Sequence, residues 1–504
     1  MEFLAQHFPH LTLGFSVALS LQNTWYCFIG VMVGTLIGVL PGIGPSASIS
    51  MLLPMTFTLP PVSALIMLAG IYYGAQYGGS TTAILVNLPG EPSSVLTALD
   101  GYQMARQGRA GPALGIAAIG SFVAGTVSTL MIANFAPPLA EVALLFGPSE
   151  YFALMVVGLV AAVVLAQGSL IKAIGMVLLG LLLGLVGTDV NSGVQRFNLG
   201  IPELSDGISF LTVAMGVFGI AEIVANLEHQ EKREVFSAKL GSLLPSVEDL
   251  RRCWPSIARG TAIGCCLGIL PGGGAILSAF AAYTLEKKVA RAPTNFGNGD
   301  IRGVAAPESA NNSGAQASFI PLLTLGIPGN GVMALMMGAM MIQGIAPGPQ
   351  VMTQRPELFW GLIASMWVGN LMLVVLNLPA IGIWIKLLTV PYRFLFPAIL
   401  LFCCIGVYTV NNSEFDVYMM ALFGLVGYGC FKLECEPAPL ILGFILGPQM
   451  EENLRRAMLL ARGDPRVFFE RPISLALLIV AGLLLAVVIA PAVRRKRVEA
   501  FQEA

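Results

Sequence analysis

The sequence predicts a polytopic, all-α membrane protein built from two repeated halves. Composition, long uncharged runs and a duplicated Gly/Pro pattern carry that reading. Of 504 residues, 56% are hydrophobic and only 11% charged, with a formal net charge of −1. A soluble globular chain carries about 25% charged residues. There are too few charges here to cover a soluble surface of this size, which excludes cytosolic enzymes and nucleic-acid binders.

The uncharged runs set the number of elements. No Asp, Glu, Lys or Arg lies between Glu2 and Glu91, and further uncharged stretches cover 110–140, 151–171, 173–188, 260–285, 309–354, 358–385, 394–413 and 472–493. One crossing needs about 20 mostly apolar residues, so several runs hold one span and the longest hold two or three; about ten to twelve segments are expected, half-spans included. Outer-membrane barrels would instead show short alternating segments. Met1–His10 lacks a basic region, so no cleavable signal peptide is expected. Most of the eight cysteines lie in apolar runs, without C-x-x-C spacing or a nearby His, and read as small buried hydrophobes.

Along the chain, 1–226 reads as a first membrane repeat, 227–253 as a charged connector and 254–450 as a second repeat, with 451–504 holding an amphipathic segment, a last transmembrane helix and a basic tail. Lys232, Arg233, Lys239, Arg251, Arg252 and Arg259 mark the connector as cytoplasmic. The N-terminus, with no Lys or Arg before Arg106, then faces outward, and Arg494–Arg497 faces inward. The cluster Arg455, Arg456, Arg462, Arg466 and Arg471 lies only one span before that tail. A surface helix over Glu451–Arg462, or a Leu475–Ile489 segment that does not simply cross, would each accommodate it.

The repeat is visible in two places. Residues 34–48 (GTLIGVLPGIGPSAS) match 264–278 (GCCLGILPGGGAILS) at seven of fifteen positions, including Pro41, Gly42 and Gly44 against Pro271, Gly272 and Gly274. Downstream, Gly74-Ala75-Gln76 recurs as Gly314-Ala315-Gln316, and Leu88-Pro89-Gly90 as Ile327-Pro328-Gly329. Proline inside an apolar run removes a backbone donor and clashes with the preceding turn. In a bilayer the freed backbone is tolerated only where protein or a water-filled cavity covers it. Matched breaks in two halves are the best sequence pointer to a transporter's binding site. Kinks for helix packing are the bland alternative, and four breaks in two matched pairs weigh against it.

The second break of each half holds the candidate site. In the first, Ser80, Thr81 and Thr82 precede a short apolar stretch and then Asn87, Pro89 and Gly90, read as one arm of a re-entrant hairpin. In the second, Thr324 precedes Gly326, Pro328, Gly329 and Asn330. Helix N-termini at such tips suit a carboxylate, and carbonyl-bearing ends with Thr and Asn oxygens suit Na⁺. Glu308, with Asn311 and Asn312 nearby, enters the longest uncharged run of the second half and reads as a cation or proton ligand, against the alternative of a solvated Glu at a helix cap. Glu91 beside its Pro-Gly tip is a weaker candidate, and Asp100-Gly101 reads as a turn opening a polar loop.

These residues resemble the large membrane subunit of tripartite tricarboxylate transporters, the TctA-type proteins of bacteria. The matching stretches are GVLPGIGP at 38–45, YGGSTTAILVNLPGEPSSVLTALDGYQMARQG at 77–108, GILPGGGA at 268–275 and GVAAPESANNSGAQASFIPLLTLGIPG at 303–329. The resemblance implies a bacterial inner-membrane subunit that works with a small TctB-like membrane subunit and a periplasmic TctC-like substrate-binding protein. It implies symport of a carboxylate such as citrate, driven by a cation gradient (Na⁺ or H⁺) without ATP or another cofactor, by an elevator-type architecture of two inverted halves. The absence of a G-x-x-x-x-G-K-[ST] motif agrees.

Other classes fit less well. The three histidines, His7, His10 and His229, lie at the terminus and in the connector, so a His-based hydrolase or metal site is poorly supported and no enzyme is expected. A channel built on re-entrant loops, or a stand-alone carboxylate transporter, remains open at this stage.

Overall fold

The computed structural model describes residues 2–40, 44–166, 169–189, 192–228, 244–270, 274–291, 294–388 and 392–489. In the first half the helices are α1 (Glu2–Ala18), α2 (Leu21–Gly38), α3 (Pro45–Thr56), α4 (Pro61–Val86), α5 (Val95–Arg106), α6 (Ala110–Ala143), α7 (Pro148–Leu165), α8 (Leu170–Gly184), α9 (Phe210–Ala214) and α10 (Ala221–Glu228). A π-helical stretch, Met215–Ile220, joins α9 to α10. The second half holds α11 (Val247–Gly268), α12 (Gly274–Val289), α13 (Arg302–Ala317), α14 (Phe319–Leu325), α15 (Gly331–Ile342), α16 (Gln350–Gln354), α17 (Pro356–Asn377), α18 (Ile381–Leu388), α19 (Tyr392–Asn411), α20 (Glu414–Lys432), α21 (Ala438–Leu460), α22 (Val467–Glu470) and α23 (Pro472–Ile489). A two-residue β-hairpin, Gly187–Thr188 with Gln195–Arg196, follows α8.

Among the described residues, four single helices are long and apolar enough to cross a membrane: Ala110–Ala143, Phe210–Glu228, Pro356–Asn377 and Glu414–Lys432. A fifth span is the pair His10–Ala18 and Leu21–Gly38, bent by 71°, and five shorter apolar helices accompany them. One of these elements is thus broken into two pieces, and the shorter apolar helices are not long enough to cross singly.

Two helices sit at the centre. Every residue of α4 from Ser63 to Val86 is buried, and so is the whole of α13. Glycines set how their neighbours pack. Gly30, Gly34 and Gly38 of α2 face the carbonyls of Met67, Ile71 and Ala75 of α4, so closely that a Cβ on any of them would overlap the opposing carbonyl. Gly260, Gly264 and Gly268 of α11 face Ala306, Ala310 and Gly314 of α13 in the same way. In both pairs the contacts advance in step, so the paired helices run parallel. Small residues at four-residue spacing permit this approach, and dispersion and backbone contact drive it in lipid.

The two central helices run antiparallel to one another. Tyr73 of α4 lies 6.2 Å from the ring of Phe319, just past the C-terminal end of α13, while Ser80, two turns further along α4, bonds Glu308, back toward the start of α13. The outer helices interlock across the halves. Gly443 of α21 meets the Val177 carbonyl of α8, and Gly216 of the π segment meets the Met420 carbonyl of α20. Gly184 meets Phe444, and Gly427 meets Val217.

Several expectations shift. Ser80, Thr81 and Thr82 lie inside continuous α4, so the first hairpin arm does not begin there. Nothing in that stretch breaks the ladder, and the helix stops only at Asn87, in a left-handed conformation (φ 59°). Asp100 is not in a turn but inside α5. Residues 451–460 continue α21 without interruption, rather than forming a separate surface helix. The second half's first helix begins at Val247, capped by a reciprocal Ser246–Asp249 hydrogen-bond pair, so Trp254 is within it. Pro41, Gly42, Pro271 and Gly272 lie outside the described residues, as does 229–243 of the connector.

Candidate functional site

The two downstream breaks fold alike. Asn87 and Gly326, 239 residues apart, both end their helices in the left-handed region, at φ 59° and 69°. Only glycine, and less readily Asn or Asp, enters that region at low cost. A Pro-Gly pair follows in each, and then an extended N-cap residue: Glu91 (φ −145°) before a 3₁₀ turn, and Asn330 (φ −159°) before α15. Asn330 accepts from the Met333 N–H at 2.9 Å. Gly90 passes against Gly79 and the Gly38 carbonyl, leaving no room for a side chain. The first breaks share a detail too. Ser48 and Ser278 donate to the carbonyls of Gly44 and Gly274 at 2.9 and 2.6 Å.

Between the breaks lies a polar cluster centred on Glu308, which is 1% exposed. Its Oε1 accepts from Ser80 at 2.7 Å, Ser121 at 3.2 Å and Asn312 Nδ2 at 3.2 Å. Its Oε2 accepts from Thr97 at 2.9 Å. Asn312 Nδ2 also donates to Ser121 Oγ at 2.7 Å. Four helices, α4, α5, α6 and α13, thus converge on one carboxylate. The solvated helix-cap alternative for Glu308 does not describe this environment.

The neighbouring residue faces another acid. Asn311 Nδ2 donates to Glu91 Oε1 at 3.2 Å, and the Ser93 hydroxyl donates to the same oxygen. Glu91 is 4% exposed. The adjacent residues Asn311 and Asn312 thus serve two different buried carboxylates. Among the described residues no ion pair reaches either one. A buried charge is costly unless it is both hydrogen-bonded and paired; these carboxylates have hydrogen bonds but, among the described residues, no cationic partner, so the site is built to attract positive charge. A cavity of about 20 Å³, room for roughly one water, lies beside Glu308 and is lined by Tyr77, Ser80, Thr81, Ser121 and Asn377 among others.

The remaining expected residues divide. Thr82 donates to the Val39 carbonyl at 2.7 Å, tying α4 to α2 and away from the cavity. Thr324 turns back onto the Ile320 carbonyl at 2.7 Å. Gly44 N–H donates to Glu222 Oε1 at 2.9 Å, and Gly274 opens α12 at φ 47°. Thr97, Ser121 and Glu222 carry little signal in the sequence, and Tyr77 stands there only at the head of the 77–108 stretch. Ser121 is one serine in an uncharged run. Thr97 is signalled only by lying one helical turn before Asp100.

Asp100, wholly buried, organises the entry to α13. Its Oδ1 accepts from the backbone N–H groups of Gly297 (2.8 Å), Gly299 (2.9 Å) and Asp300 (2.9 Å), and its Oδ2 from the Tyr283 hydroxyl (2.9 Å). A concave run of backbone amides of this kind is an anion nest. Here it holds a side chain of the same protein.

The sequence signature of the Tripartite tricarboxylate transporter TctA family matches residues 25–442. The chain is 58% identical over 494 residues to an uncharacterized 52.8 kDa protein in the TAR-I ttuC' 3' region of Agrobacterium vitis, covering 98% of each. It is also 56% identical over 240 residues to an uncharacterized protein in the TAR-II ttuC' 3' region of that organism, across 48% of this chain and 99% of the other. No solved structure matches. The chain belongs to the TctA family, a family of transporter components rather than enzymes, and its apolar helices are those of a multi-pass membrane protein.

Proposed function

We propose that this TctA-family chain is the large subunit of a binding-protein-dependent secondary importer of tricarboxylates or related carboxylates in a bacterial inner membrane. A small TctB-like membrane subunit and a periplasmic TctC-like binding protein complete it, and a Na⁺ or H⁺ gradient drives it. The observation that carries this reading is the Glu308 cluster: a buried carboxylate in a chain of transporter ancestry, ringed by neutral hydroxyls and an amide. Intramembrane ionisable groups of this kind mark ion and substrate pathways.

In the proposed mechanism a cation enters the cluster and neutralises Glu308, aided by Asn312, while the adjacent Asn311 turns to Glu91. An anionic substrate can then approach without meeting an unpaired negative charge. Ser80 and Thr81 line the water-sized cavity beside Glu308; the break residues Pro89, Gly90, Pro328, Gly329 and Asn330 lead into helix N-terminal ends that suit the substrate's carboxylates, while Asn87 and Gly326 close C-terminal ends whose carbonyls suit a cation. Thr82 and Thr324 act in packing.

Inverted repeats, bounded as 1–226 and 254–450, are supported by two parallel pairs, α2 with α4 and α11 with α13, whose central members run in opposite directions. Each close-packed pair is suited to move as one body in an elevator cycle. The outer interlock of α8, α10, α20 and α21 would serve as the scaffold. A cytoplasmic connector also orders the last segments. Glu228 beside it pairs with Lys432, and α21 then runs from that side to Arg455, which pairs with Asp189 beyond α8. On this reading the arginine cluster lies outside and α23 runs back toward the cytoplasm.

The test is uptake of labelled citrate into proteoliposomes holding both membrane subunits, with the binding protein inside or outside the assay and with inward Na⁺ or proton gradients. Gradient-driven accumulation that needs the binding protein, and is lost in Asn312→Leu, is expected. Accumulation of another carboxylate in place of citrate changes the substrate alone. Rapid equilibration without accumulation, indifferent to the binding protein, would replace the proposal with a channel.

A further inference from the structure

We infer that the chain holds two cation centres, the second being Glu91 with Asn311, so that two monovalent cations occupy the core in each transport cycle. The inference rests on the reading of Glu308 given above and extends it.

The sequence made Glu91 a minor candidate, adjacent to a Pro-Gly tip. The fold buries it to 4% exposure and places Asn311, itself fully buried, against it. The decisive observation is on Asn311. Its Nδ2 serves Glu91, but its Oδ1, buried on the same amide, has no hydrogen-bond partner. A buried acceptor without a donor is rare in native proteins and calls for an explanation such as a missing ion, water or proton. A buried carboxylate and, on the amide that donates to it, an orphaned carbonyl oxygen are both short of positive charge. Oxygen ligands of this type suit a hard cation, and a proton on Glu91 would serve the same oxygen as a donor.

The two centres are distinct because neighbouring residues serve them. Asn312 turns to Glu308 and Asn311 to Glu91, each at 3.2 Å. The groups facing Glu91 are Ser93 on its own turn, Asn311 and Glu308 on α13, and Tyr72 on α4, where Ser318 and Asn330 also meet. None of these is a cation. One bound cation would leave a second carboxylate buried in hydrocarbon with its charge unmatched, so occupancy of both is the stable arrangement.

The probe is ²²Na⁺ bound to the purified full chain at saturation, with folding checked by size-exclusion chromatography and thermal unfolding. About two ions per chain are expected, one for each uncompensated carboxylate. Glu91→Gln keeps an oxygen for the helix cap and is expected to halve the count, as is Glu308→Gln. Should Glu91→Gln fail to fold, Asn311→Leu carries the test, with a weakened second centre and an intact first. If the wild type takes up no ²²Na⁺, the cations are protons. Infrared spectra across a pH titration should then show two protonated-carboxyl bands, one lost in each Gln variant. An unchanged count or band set in Glu91→Gln and Asn311→Leu, with loss in Glu308→Gln, would overturn the second centre alone. No change in any variant would overturn the Glu308 reading as well. Loss of both ions in Glu91→Gln would mean one shared centre and equally overturn the inference.

Discussion

Replacing Asp100 with alanine tests how the entry to α13 is held. The substitution removes the acceptor of three backbone N–H groups and of the Tyr283 hydroxyl, all within 2.9 Å. Gly299 and Asp300 donate from fully buried positions, whereas Gly297 is partly open and can recruit water. A buried donor left without a partner costs about 1–3 kcal/mol. Two such donors and the tyrosine give a loss of about 4 kcal/mol after some relaxation, a large part of the roughly 5–15 kcal/mol by which domains are stable. Asp100→Asn keeps one acceptor oxygen, and its amide can donate to Tyr283. It loses mainly the charge-assisted share, which is about half of each bond. Tyr283→Phe removes one bond. The order of thermal stability should be wild type, Tyr283→Phe, Asp100→Asn, then Asp100→Ala. The chain supplies its own reporter: Cys27, Cys253, Cys265, Cys403 and Cys430 are free and buried, so a thiol-reactive fluorophore reads unfolding in detergent. A melting temperature for Asp100→Ala equal to the wild type would refute the nest as a structural tie.

Three further outcomes follow from the geometry. Gly34→Leu and Gly264→Leu should each cut the yield of folded protein, because overpacking against backbone carbonyls costs about 1–3 kcal/mol or more; Gly429→Ala, which meets nothing within 4 Å, should match the wild type in the same size-exclusion assay. Asn87→Gly should melt like the wild type, whereas Asn87→Val should melt lower, since a left-handed non-glycine residue costs about 1–2 kcal/mol and the native φ is 59°. Burial alone would raise the Asp249 carboxyl, but hydrogen bonds from Ser246 and Arg109 and the Arg109 charge hold it below its ordinary 3.8. The tie is therefore fully present above pH 3.8 and lost as pH falls through the depressed value, so the acid side of a stability–pH curve should flatten in Arg109→Ala.

The frame was legible because backbone requirements leave residue-level traces. A Pro-Gly pair inside an apolar run has few structural meanings in a bilayer, and the Leu88-Pro89-Gly90 and Ile327-Pro328-Gly329 breaks fall where the motif put them. Where a helix continues, the trace is weaker. Tyr77-Gly78-Gly79-Ser80 looks like a break by composition, yet it is helical because Gly78 is needed for the close approach of α4 to α2 at Thr35 and Val39. Glycine that serves packing and glycine that serves bending read alike in one dimension. The ligands of Glu308 were only partly legible for a different reason. Asn312 lies one helical turn away on the same face, but Thr97 and Ser121 reach it from other helices. Only the fold brings them within hydrogen-bond distance.

The two breaks fold alike around chemistry they do not share, and under the repeat proposal that asymmetry bears on how such a site works. At the 239-residue offset that relates the two breaks and the α4 and α13 sides of the Gly38–Ala75 and Gly268–Gly314 contacts, one residue off the 74–76/314–316 sequence match, Glu308 corresponds to Ala69, Asn311 and Asn312 to Tyr72 and Tyr73, and Ser80 to Phe319. Tyr73 and Phe319 pack against one another at 6.2 Å. Tyr73 is thus the counterpart of Asn312, and Phe319 that of Ser80. One end of the α4–α13 contact is therefore a hydroxyl–amide–carboxylate cluster and the other is aromatic. Under the inverted-repeat proposal the two ends face opposite sides of the membrane. A second carboxylate cluster at the aromatic end would give the ion two equivalent resting places, and it could pass between them without substrate. With both carboxylates served by the adjacent Asn311 and Asn312, and with Tyr73 and Phe319 at the mirror position, the ions have no second set of seats, and their seats must move for them to cross. That favours coupled transport over conduction on physical grounds that neither half supplies alone.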